Sequence, residues 1–82
     1  MAQMATRSKR VEGMSDLDYD LVSCLAEDLE AIDVLDTYIN DAHSAGDSNV
    51  EQLFTQIRDD EMKHCDALKR VIEERVKQGK FK

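Results

Sequence analysis

Two stretches of this chain carry apolar residues at spacings of four and three, and a single break separates them. In the first stretch the recurring positions are Leu21, Leu25, Asp28, Ile32, Leu35 and Ile39. In the second they are Phe54, Ile57, Glu61, His64, Leu68 and Val71. That period places each set on one stripe of an α-helix, the seam along which helices pack. The break is Asp41-Ala-His-Ser-Ala-Gly-Asp-Ser48, where Gly46 suits a left-handed helix end and Ser48 with Glu51 suits a capping box. So short a connection makes the two helices antiparallel neighbours. Ser15 and Asp18 mark the start of the first helix, expected over about 16–44. Gly79 ends the second near Gln78 and leaves Lys80-Phe81-Lys82 as a frayed end. With no proline and three glycines, little opposes helix between these punctuation points. Residues 1–14 show no period and are expected as a flexible N-terminal tail ahead of a hairpin over 15–82.

Charge and composition exclude several function classes. A net charge of −7 opposes binding to nucleic acid, whose phosphates would repel it, but raises the local concentration of cations. No apolar run approaches the ~20 residues that cross a bilayer, so no membrane partner is expected. The first residues also lack the apolar centre of a secretory signal, which points to a cytoplasmic chain. Cys24 and Cys65 are too few and too far apart for a disulfide framework or a zinc knuckle. Both are expected as small buried thiols.

The seams are interrupted by ionisable groups at their midpoints. Asp28 lies halfway along the first helix, and Glu61-x-x-His64 lies halfway along the second. Residues three apart share a helix face, so Glu61 and His64 can reach one point. In an antiparallel hairpin the midpoints meet, which brings Asp28 to the same level. Burying these groups is costly unless something compensates them. No Lys or Arg occurs from Val11 to Ile57, and none sits on the seam positions above. A bound metal supplies the missing positive charge; a structural polar cluster with His64 bonded to Asp28 is the competing reading.

A two-helix hairpin cannot cover its own seam. Two copies related by a twofold axis would form a four-helix bundle and double the set to two Asp, two Glu and two His. Four carboxylates and two imidazoles match the ligand inventory of di-iron and di-manganese carboxylate sites. Hard oxygen donors with some nitrogen suit Fe or Mn better than Cu(I). Glu27 and Glu30 flank Asp28 and are either solvated charges or an acidic mouth for incoming Fe2+, with Glu27 a candidate secondary ligand. Asp60 points mostly outward, Met62 falls outside the seam, and His43 belongs to the turn.

These residues resemble a known family. The run D-D-E-M-K-H-C-D-A-L, residues 59–68, resembles the E-x-x-H helix of bacterioferritins. A-E-D-L-E-A-I-D, residues 26–33, resembles their preceding ligand helix. Two helices and a short loop make residues 17–76 look most like the encapsulated ferritins, half-sized members of the ferritin superfamily. The resemblance implies a ferritin-like four-helix bundle and a ferroxidase with a di-iron site between two chains. It also implies a ring of dimers and an encapsulin shell as partner and compartment. On this basis Asp28 matches the first-helix ligand, Glu61 the bridging carboxylate and His64 the terminal nitrogen ligand, with Glu27 and Glu30 as acidic approach positions. Asp28 stands where the family uses glutamate, and Val34-Leu35 stand where it has a Trp-Tyr pair. A non-enzymatic bundle holding Zn or Mn, or a structural helical dimer with a degenerate site, is the alternative.

Overall fold

The computed structural model describes residues 13–82 as an antiparallel hairpin of two α-helices, α1 (Asp16–Ser44) and α2 (Ser48–Lys77). The described residues contain no strand. Most of the tail expected over 1–14 lies outside them.

The helix ends follow from local chemistry. Ser15 caps α1: its hydroxyl accepts from the Asp18 amide at 3.2 Å and donates to Asp18 Oδ2 at 2.8 Å. Both C-termini close in the same way. Gly46 and Gly79 each take φ +72°, and the amides that follow them, Asp47 and Lys80, donate back to the carbonyls of Ala42 and Arg75 at 3.0 and 2.8 Å. This Schellman turn reverses the chain and satisfies carbonyls that a helix end would orphan. The cap of α2 differs from expectation. Asp47, not Ser48, is the N-cap, and its carboxylate accepts from the Val50 amide at 3.1 Å. Glu51 is then free to pair with His43 Nδ1 at 3.3 Å across the turn, leaving His43 exposed. The Schellman turn uses Gly46 as its left-handed residue, which puts Asp47 in extended backbone, where a cap must sit.

Packing corrects the register of the second seam. On α1 the expected stripe faces α2, extended to Asp18 and Ala42. On α2 the stripe facing α1 is Phe54, Arg58, Glu61, Cys65, Leu68, Ile72 and Arg75, all buried or half-buried. Ile57, His64 and Val71, expected on the seam, lie one position round and are exposed. Arginines therefore do occupy the seam. Arg58 donates to Asp36 at 2.6 Å and Arg75 to Asp18 at 2.6 Å, so each is committed to a carboxylate away from the midpoint.

The C-terminal residues are not frayed. After Gly79 the chain folds back across the start of α1: Lys82 N donates to Asp18 Oδ2 at 2.8 Å, and Ser15 N donates to the Lys82 carbonyl at 2.5 Å. Phe81 is half-buried there.

The core is thin. Among the described residues only Leu35, Ala42 and Cys65 are buried apolar side chains, while eleven large apolar residues are exposed. One hairpin shields only one side of each helix, and an 82-residue chain buries little else. No helix among the described residues is long and apolar enough to cross a membrane.

Candidate metal centre

The midpoints meet as antiparallel geometry requires. Asp28, Glu61 and His64 each bring one ligand atom to a common point, all within 4.8 Å of one another, and no other such group occurs among the described residues. Asp28 and Glu61 are half-buried on the seam, whereas the His64 side chain is 63% exposed on its flank. The one-turn spacing explains why His64 still reaches the point: its Nδ1 lies 3.5 Å from Glu61 Oε1.

That oxygen is the anomaly of the site. Glu61 Oε1 is buried and has no hydrogen-bond partner; at 3.5 Å the His64 contact is longer than a hydrogen bond. A buried carboxylate oxygen without a donor costs roughly 1–3 kcal/mol, more when charged. No Lys or Arg among the described residues pairs with Asp28 or Glu61. Two carboxylates and an imidazole thus converge with a deficit of positive charge, the donor set a hard divalent cation takes.

The surrounding thiols register the same field. Loss of hydration pushes the Cys65 thiol up, and the carboxylates of Asp28 and Glu61 push it further. Cys24 is raised by the same causes in the same order, with Glu27 adding to them. Both shifts favour the protonated thiol in the metal-free chain. Cys65 is buried as expected, but Cys24 is exposed, because its position flanks the seam and a single hairpin leaves that flank uncovered.

Other candidates stand further out. Glu27 and Glu30 are exposed on α1 and outside the convergent group. Asp60 is exposed and accepts from Gln56 at 3.1 Å, and Met62 is 45% exposed. Tyr38 lies near the loop, its ring 5.5 Å from that of Phe54. Val34 is exposed and Leu35 buried. Sequence reasoning missed Arg58, Arg75 and the burial of Asp18. The signal was there: Arg58 and Arg75 share the four-and-three spacing of Phe54, Glu61 and Leu68.

His64 does not stand alone on its flank. Ile57 and Val71 lie one heptad to either side of it, at 38% and 48% exposure, and Leu53 continues the stripe. Antiparallel pairing sets Leu17, Cys24, Ala31 and Tyr38 of α1 along the same side of the hairpin. The opposite side carries the Asp36–Arg58 pair with Met62, whose sulfur accepts from Arg58 at 3.1 Å. Exposed Leu53, Ile57 and Val71 thus share a flank with His64. No known family, curated protein or solved structure matches the chain.

Proposed function

We propose that this chain binds iron between two copies of itself and oxidises Fe2+ to Fe3+, in the manner of the encapsulated ferritins that its motifs resemble. The observation that carries the reading is the buried, unpartnered Glu61 Oε1 within the Asp28–Glu61–His64 group. Three protein ligands would leave a cation with open positions for a second copy to fill. A second copy on the His64 side would contribute its own three ligands, bury Ile57 and Val71, and complete a four-helix bundle. Such a pair would be the building block of a ring of dimers, with an encapsulin shell as a further partner.

The chain's own groups would act by placement and charge balance. Asp28 and Glu61 would neutralise the substrate ions, Glu61 would take the bridging role that the resemblance implies, and the His64 imidazole would supply a nitrogen donor. Two Fe2+ each give up one electron; with two protons, the electrons reduce one dioxygen to hydrogen peroxide, and Fe3+ leaves for storage. Mn or Zn fits the same donors without being turned over.

The test is native mass with and without Fe2+, together with aerobic Fe2+ oxidation by the wild type, Glu61→Ala and His64→Ala. Expected are a multiple of two chains, about two iron ions per pair, and oxidation that falls to the uncatalysed rate in both variants. Equal rates in all three proteins would eliminate the ferroxidase. Stoichiometric binding without accelerated oxidation would leave a metal-binding bundle. A Tm indifferent to every divalent metal would leave only a structural dimer.

A further inference from the structure

At the end of the hairpin away from the loop, one carboxylate gathers three parts of the chain. Asp18 is fully buried, the only buried charged residue among those described. Its Oδ1 accepts from Arg75 Nε of α2 at 2.6 Å. Its Oδ2 accepts from the Ser15 hydroxyl and from the Lys82 amide, both at 2.8 Å. The Ser15 amide returns a bond to the Lys82 carbonyl, so Lys82 and the helix cap hold each other as well as Asp18. Arg75 serves twice, since its carbonyl also closes the Schellman turn that sends the chain back. The proposed function uses none of these groups.

We propose that residues 80–82 form a strap seated on the Asp18 carboxylate, and that loss of the charge on Asp18 unlatches the strap and the first turn of α1 together while the Asp28–Glu61–His64 level stays closed. The groups facing Asp18 account for this. Arg75 faces it from α2, Lys82 from the strap, and Ser15 from the cap of α1 itself. A neutral side chain at position 18 leaves the half-buried Arg75 guanidinium without its anion and offers the Lys82 amide a weaker acceptor. Opening should be local, because ten residues of α1, roughly 15 Å, separate Asp18 from Asp28. The carboxyl is also held below the usual carboxylate range, so the strap stays latched through neutral and mildly acidic conditions.

Amide hydrogen exchange tests this on the full chain. In Asp18→Asn at neutral pH, protection at Ser15, Tyr19 and Lys82 should fall about tenfold or more, while amides from Glu61 to Leu68 keep theirs. The wild type should lose protection at the same three amides when acidified below the ordinary carboxylate range, which keeps the test valid should the variant fold poorly. Unchanged protection at Lys82 in both experiments would overturn the proposal. So would a loss spread evenly over the whole hairpin, which would make Asp18 a general stabiliser rather than a latch.

Discussion

Glu61 and Asp18 are both seam carboxylates, and their surroundings give them opposite consequences. Asp18 has three donors; Glu61 Oε1 has none. Replacing an unsatisfied buried acceptor by an apolar group of similar shape removes its penalty. Glu61→Leu is therefore expected to raise the Tm of the metal-free protein by several degrees while abolishing the rise in Tm on adding Fe2+. Calorimetry with and without metal reads both effects, and a lower metal-free Tm would contradict the first. For Asp18 the sign is reversed. Its folded pKa lies below the ordinary 3.8, chiefly through the Lys82 amide, then the Ser15 hydroxyl and Arg75 acting against burial. The unfolded chain takes up the proton first, so the stabilisation is fully present above the ordinary value and is lost as pH falls through the folded one. Asp18→Asn should lower the Tm by several degrees at pH 7. The gap from wild type should close in a pH series carried below the ordinary carboxylate range.

At the scale of the helices, the punctuation is separable from the packing. Gly46 and Gly79 both need φ +72°, and a Cβ added at either meets nothing within 4 Å. Gly→Ala at these sites should then cost about 1 kcal/mol each from backbone strain alone, with no steric share. The cap of α2 gives a sharper comparison. Asp47→Ala should cost about 1 kcal/mol, and Ser48→Ala, already inside the helix, close to nothing. Urea midpoints of the two variants distinguish them, and the reverse order would return the cap to Ser48. The cross-helix pair Arg58–Asp36 is expected to matter less than its 2.6 Å distance suggests, since the Asp36 side chain is 54% exposed and such pairs contribute about 0–1 kcal/mol.

At the scale of the whole molecule, the described residues expose eleven large apolar side chains and bury three apolar ones, an imbalance that a second copy would relieve. If a second copy lies on the His64 side, Ile57→Glu or Leu53→Glu should reduce the native mass to one chain and remove metal binding with it. Leu29→Glu, on the opposite side, should leave both intact. Equal effects from the two sides would separate the metal group from the pairing surface. If the proposed site holds a metal, chelation should lower the Tm at fixed concentration, because a ligand that binds only the folded form stabilises it by mass action.

The helices, their antiparallel order and the meeting of Asp28 with Glu61 were legible in the residues, because spacing, turn glycines and a short loop are local and additive signals. The chain could not by itself choose between two stripes on α2. Phe54, Glu61 and Leu68 belong to both; one adds Ile57, His64 and Val71, the other Arg58, Cys65, Ile72 and Arg75. The first is the more apolar, yet the second faces α1, where Cys65 is buried and Arg58 and Arg75 meet carboxylates at Asp36 and Asp18. Whether a charged residue can sit on a seam depends on a partner 22 or 57 positions away, and only folding sets that proximity. The same holds for Lys82, which spacing along the chain marks as an end and the hairpin turns into a contact with Asp18.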